Sequence, residues 1–279
     1  MVSGRQPSQG HGGSLMSQDP HHSLLLDELS TFQIQELLGE GWGTVVVPLG
    51  ATEQHGPALP LLVDNVHGVQ TALRAARILG KTLVGPVLTL GYSPEHSEFP
   101  GTISLAKSTL AGIIHDIAES HARSGFRLVY FWVAHGGNNP VLQEALPALE
   151  RKWPGCYVTG LKDLAEYVAS TWDRIPLEQG ISLEISGSHA GEFETSMMLA
   201  ARPDLVRMEA AEAGNSEPFE TIAAAILRDG IGSISRNGVL GDQRQASAER
   251  GKSYLDGLAA YLAADLGRAS RRAGKATAS

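Results

Sequence analysis

Apolar residues along this chain fall into two alternating patterns: short unbroken runs and longer stretches at helical spacing. Thr44-Val45-Val46-Val47-Pro48 and Arg127–Ala134 (RLVYFWVA) are runs without polar alternation, as expected of strands covered on both faces. Thr82–Leu90 and Cys156–Leu161 read as two further strands. Between them, Asn65–Leu79, Lys107–Ser124 and Pro140–Trp153 read as helices. The second places Leu110, Ile113, Ile114 and Ile117 along one face and stops at Gly125, a suitable C-cap. Ser30 or Thr31 can cap a helix running to about Leu38, with Phe32, Leu37 and Leu38 as its apolar contacts. Further helices are predicted after His189, over Phe219–Arg228, and over a long final stretch from about Gln245 to Leu266.

Strands that alternate with helices pair in parallel through right-handed crossovers. The expected fold is therefore a three-layer α/β/α domain with a mostly parallel central sheet. The body has no internal repeat and no Pro/Ser-rich linker, so a single domain is expected over residues 23–268. Residues 1–22 are rich in Gly, Ser, Gln and His without apolar periodicity and read as a disordered leader, with Met16 an alternative start. His11, His21 and His22 belong to that solvated segment, and residues 269–279 read as a frayed basic tail.

Composition narrows the function. Asp and Glu outnumber Lys and Arg by 30 to 22, and nucleic acid would want a basic face, so it is excluded as the main partner. No window approaches a membrane-spanning length of uncharged apolar residues. Cys156 is the only cysteine, which excludes an intramolecular disulfide and a Cys-rich zinc module and suits a reducing, cytoplasmic setting. Its apolar strand marks it as an inert core thiol.

Ligands of open α/β sheets bind beyond the C-terminal ends of the strands. Polar clusters fall there. Thr52-Glu53-Gln54-His55-Gly56 and Asp64 follow the first strand, and His135-Gly136-Gly137-Asn138-Asn139 follows the RLVYFWVA strand. Ser188-His189-Ala190-Gly191-Glu192-Phe193-Glu194 opens a later helix. Together Glu53, His55, Asp64, His135 and Glu194 offer three carboxylates and two imidazoles, a set suited to Zn, Mn or Fe(II). Five donors exceed a closed tetrahedral site and suffice for two metals sharing a carboxylate, with positions left for water and substrate. On the residues alone, Asp64 also suits a helix cap and His135-Gly136-Gly137 a tight turn. A different class, a phosphate-cradling α/β domain, would want Gly-x-Gly-x-x-Gly after the first strand, where this chain has Glu53 instead. His67, His115 and His121 are assigned to ordinary helix faces.

The string PLGATEQHGPALPLLVD (Pro48–Asp64) resembles the creatininase, or creatinine amidohydrolase, family. The resemblance continues through PEHSEFPGTISL (Pro94–Leu105), HGGNN (His135–Asn139), SHAGEFETSMML (Ser188–Leu199) and GVLGDQRQASAERG (Gly238–Gly251), in the family's order. It implies an α/β hydrolase with two divalent metal ions per subunit, assembled as a homohexamer, that cleaves a C–N bond in a small cyclic amide, a formamide or a peptide. It further implies Glu53 on one metal, His55 on the other, Asp64 bridging, and His135 and Glu194 as the remaining ligands. His189 is implied as proton donor or acceptor, so His189 and Glu194 stand as the catalytic residues. Glu95, His96 and Asn138 are expected to contact substrate. Ala58 stands where the family often has His, and Gly137 where creatininase has a ligand-type Glu, which turns the expectation away from creatinine itself. Formamidopyrimidine deformylases and cofactor-precursor peptidases of the family remain open. Trp172 is a positional candidate for an aromatic clamp over the substrate.

Overall fold

In the computed structural model, which describes residues 23–276, the β-branched run Thr44–Leu49 (β1) lies inside a four-stranded parallel sheet. The leader expected over residues 1–22 lies outside the described residues. Helix α1 (Thr31–Gly39) precedes β1 and starts at Ser30, whose hydroxyl accepts from the Gln33 N–H while the Gln33 side chain accepts from Ser30 N–H. Leu37 of α1 is buried, but Phe32, expected as an apolar contact, is 81% exposed. The two lie five positions apart, about 140° around the helix from each other, so both cannot face the sheet.

After β1 come α2 (Val63–Leu79), β2 (Thr82–Val84), α3 (Lys107–Arg123), β3 (Leu128–Val133), α4 (Asn138–Leu149) and β4 (Tyr157–Gly160). The strand order is β2-β1-β3-β4, with Thr44 paired to both Thr82 and Leu128, and Leu128 paired to Tyr157. The crossover through α2 steps one way along the sheet, and those through α3 and α4 step the other way. Right-handed connections therefore place α2 on one face and α3 and α4 on the opposite face. The five apolar residues of β1 after Thr44 include Pro48, and all of β3 is buried, as a sheet covered on both sides requires.

The strand expected over Thr82–Leu90 is regular only to Val84. Beyond Val84 the chain meets β1 only at Gly85 N–H to Val46 C=O and Leu88 N–H to Pro48 C=O; Pro48, the next β1 residue to face this strand after Val46, has no N–H to give back, so the regular ladder stops.

The remaining helices are α5 (Leu164–Val168), α6 (Arg174–Glu178), α7 (Leu183–Ser186), α8 (Glu192–Ala201), α9 (Phe219–Asp229) and α10 (Ala248–Ala276). A π-helical segment, Ala169–Asp173, joins α5 to α6. Helix α10 packs on α2 and α8 and completes their layer. It continues well past Leu266, so the segment expected to fray is helical to Ala276. The reason is a stripe of Leu262, Leu266, Ala269 and Ala273, spaced four, three and four residues apart and all buried. Small alanines carry no strong apolar signal, yet they let the helix lie close. Cys156 is free and buried, and burial pushes its thiol up to about 11, so it stays protonated and inert.

Candidate active site

The strand order reverses between β1 and β3, and a doubly wound sheet opens its ligand crevice at that point. Glu53 and His55 leave β1 there and His135 leaves β3, while the first turns of α2 and α8 bring in Asp64 and Glu194. None of the five is more than 5% exposed. The structure therefore gathers side chains that lie up to 141 positions apart in sequence, from 53 to 194.

Their geometry is specific. His135 Nδ1 lies 3.2 Å from Glu53 Oε2 and 3.7 Å from Asp64 Oδ2. His55 Nε2 lies 3.6 Å from both Asp64 Oδ1 and Glu194 Oε1. The two oxygens of Asp64 thus face two different imidazoles. Glu53 Oε2, His55 Nε2 and Asp64 Oδ2 are buried without a hydrogen-bond partner. Among the described residues the three carboxylates pair with imidazoles only, never with Lys or Arg. Buried charges left this way are costly unless a cation joins them.

The opposite edges of the two rings are pinned. His135 Nε2 donates to Tyr92 C=O at 2.9 Å, and His55 Nδ1 donates to Glu53 C=O at 3.1 Å. Backbone carbonyls can only accept, so each ring keeps one proton on the far side and turns its other nitrogen toward the carboxylates. Metal-binding histidines are oriented in this manner.

Burial opposes protonation of His55 and His135, yet nearby carboxylates prevail. Glu53 and Asp64 push His135 up to about 10, and Glu194 and Asp64 hold His55 well above the usual imidazole range. Asp64 and Glu194 are in turn held below the usual carboxylate range, against their burial, chiefly by His55. Without a cation, protons on these rings balance the carboxylates; a divalent ion would displace them. The donors present therefore fit a metal. Groups able to hold one include Glu53 with Asp64 and His135, and His55 with His189 and Glu194.

His189 lies beside this set, its ring 4.3 Å from that of His55. Its Nε2 donates to Gln54 C=O at 2.9 Å, which leaves the Nδ1 lone pair free, 3.8 Å from Glu53 Oε1. Burial and then His55 lower its pKa, so the ring is neutral near pH 7. Ala190, next in sequence, has φ of 55°, a left-handed conformation uncommon for a residue with a Cβ. Its N–H donates to the Glu194 carboxylate, which ties the His189 backbone to α8.

The residues expected at the substrate fare differently. Asn138 is fully buried; its amide donates to Leu49 and Gly50 carbonyls and accepts from Tyr92 N–H. Both N–H groups and the oxygen of that side chain brace the backbone around it, and it does not line the cavity over the site. His96 is buried with Nε2 3.4 Å from Glu53 Oε1, behind the carboxylate. Glu95 is half-buried, and burial raises its pKa. A side chain starting at Gly137 would run into the His135 ring and the Tyr92 carbonyl, both at 2.4 Å, before meeting the Glu95 carboxylate at 3.1 Å.

Two residues were missed by sequence reasoning. Gln54 lies between His96 and His189, its amide nitrogen 3.0 Å from a ring nitrogen of each. His67, assigned to an ordinary helix face, is fully buried with Nε2 3.4 Å from Asp64 Oδ1. The i, i+3 spacing of Asp64 and His67 was the available signal, since it puts both on one face of α2.

A cavity of about 380 Å³ opens above these groups. Glu53, Asp64, His135, His189 and Glu194 form its polar floor, and Leu164, Tyr167, Val168, Trp172 and Phe219 an apolar wall. Trp172 comes from the π-helical segment and donates its indole N–H to Tyr167 Oη. Asp173, Glu184, Glu217 and Glu220 stand around the more exposed rim, and among the described residues no Lys or Arg lines the cavity.

The family model for creatininase, creatinine amidohydrolase, matches residues 27–266. The mycofactocin precursor peptide peptidase of Mycobacterium ulcerans is 31% identical over 82% of this chain and 86% of its own. The creatinine amidohydrolase of Pseudomonas putida is 28% identical over 84% of this chain and 92% of its own. A manganese form of creatininase superposes with a TM-score of 0.74 at 27% identity, covering 88% of this chain and 98% of that one. No helix among the described residues is long and apolar enough to cross a membrane. With its parallel sheet, its buried carboxylate–imidazole groups and these likenesses together, the chain belongs to the creatininase family of amidohydrolases, hydrolases of carbon–nitrogen bonds.

Proposed function

We propose that this chain hydrolyses a peptide amide bond with a pair of divalent metal ions, one held by Glu53, Asp64 and His135 and the other by His55, Asp64 and Glu194. The observation that carries the reading is Asp64, whose two oxygens face His55 and His135 separately. When bound, the pair supplies an acidified water and polarises the carbonyl. Zn, Mn or Fe suits the donors.

The chain's own groups do the rest. His189 accepts a proton at Nδ1 from the attacking water and delivers it to the departing nitrogen, since its Nε2 is committed to Gln54 C=O. Gln54 and the strained Ala190 keep that ring in place. The apolar wall excludes water and seats a side chain of the substrate. The rim of four carboxylates favours a neutral or amine-bearing substrate over a phosphorylated one. Creatinine is a small ring, whereas a cavity of about 380 Å³ accommodates a larger ligand. That volume and the likeness to a peptidase favour a peptide. The chain acts as a homohexamer in the cytoplasm on this reading, and exposed Phe32 and Leu227 offer apolar surface for assembly.

Metal content and activity of Glu53→Gln, His55→Ala and Asp64→Asn test the ligand set. Each is expected to lose bound metal on dialysis against chelator and to fall to background turnover. Stoichiometric metal in all three would overturn it. A panel of short peptides, a formamidopyrimidine and creatinine then separates the substrates, with peptides expected to be cleaved.

A further inference from the structure

Both ring nitrogens of His67 are buried without a hydrogen bond, and Nε2 reaches only the edge of Asp64, 3.4 Å from Oδ1. A side chain that is fully buried does not keep two unmet polar atoms without reason. One helical turn brings it to the inner side of Asp64, 3.4 Å from the same Oδ1 that faces His55. His67, Asp64 and Glu194 each present a ligand-type atom, all within 4.8 Å of one another. Around the space between α2 and α8 the chain thus sets two imidazoles and two carboxylates: His55, His67, Asp64 and Glu194.

Resting on the two-metal reading above, we propose that His67 is an additional protein donor to the cation held by His55, Asp64 and Glu194. Four protein donors are the number a closed tetrahedral site takes, whereas Glu53, Asp64 and His135 leave their cation open positions. Gly137, beside His135, adds no carboxylate to that open half. The closed half anchors, and the open half meets water and substrate.

The test uses the full chain loaded with Co(II), whose visible absorption reports the number and type of donors. Metal per chain is titrated against a chelator for the parent, His67→Leu and His67→Gln, and the melting temperature of each metal-free chain is recorded. The expected result is one cation lost from His67→Leu at chelator levels where the parent keeps both, an affinity drop of roughly 10–100-fold. The Co(II) spectrum should change with it, while the metal-free melting temperatures stay close. If His67→Leu does not fold, His67→Gln carries the comparison. A parent and variants that hold two cations equally tightly, with one spectrum, would overturn the role of His67 and leave the two-metal reading intact. A parent that holds no cation would overturn that reading, and His67 with it.

Discussion

Two carboxylates on α8, two residues apart and both buried, live in opposite surroundings. Glu192 accepts from Ser196 Oγ, from Arg250 Nε at 2.7 Å and from Tyr254 Oη at 2.9 Å, in the seam between α8 and α10. Its charge is answered inside the protein. Glu194, on the side toward β1, meets a backbone N–H and the edge of His55 at 3.6 Å, and no guanidinium. The contrast separates structural charge from charge held ready for a ligand. A fold that can seat Arg250 against Glu192 could have closed the strand-exit cluster in the same way. It leaves that cluster short of positive charge, which only an incoming cation or added protons supply.

The comparison breaks most visibly through turnover. His189→Ala should lower kcat by about 10²–10⁴-fold, the contribution of a positioned proton carrier, while metal per chain stays at the parent value. Unchanged kcat would remove His189 from the proposed proton path, and lost metal would make it a ligand instead. Glu192→Gln should do the reverse. Removing one partner of a buried, hydrogen-bonded pair costs about 3 kcal/mol, or a melting temperature lower by roughly 6–12 °C, with kcat and metal content near parent values. Calorimetry that shows equal stability would mean that the seam, too, is loosely held.

Much of this was legible in the chain. β1 and β3 announce themselves as unbroken apolar runs because a buried parallel strand has no solvent face to mark with polar residues. The gathering of Glu53, His55, Asp64, His135 and Glu194 was readable from strand exits and helix starts, where topology forces convergence. The early end of β2 turns on one missing N–H at Pro48 of the neighbouring strand, which a run of apolar letters hides. The helical tail rests on Ala269 and Ala273, whose burial depends on a close partner surface rather than on their own hydrophobicity. Asn138 looked available beside a Gly-Gly turn, but two neighbouring segments, Leu49-Gly50 and Tyr92, consume its amide. His67 differed from a surface histidine only in which side of α2 faces the sheet exit.

The gentlest way to sharpen the contrast is pH. In the metal-free chain His135 is raised from an ordinary 6.5 to about 10, and His55 is raised with it. A raised imidazole contributes stability in full below about 6.5, and that stability fades as pH climbs toward 10. Over this window one such group costs the metal-free chain about 1.4 kcal/mol per pH unit. The melting temperature should therefore fall by roughly 3–6 °C per unit above neutrality. The metal-loaded chain, whose imidazoles have already released those protons, should stay nearly flat, so the gap between the two widens as pH rises. The Glu192–Arg250–Tyr254 seam adds no slope of its own, because Arg250 and Tyr254 are both raised out of this range. Parallel melting curves for the two forms between pH 7 and 9 would show that protons do not stand in for the cation at this site.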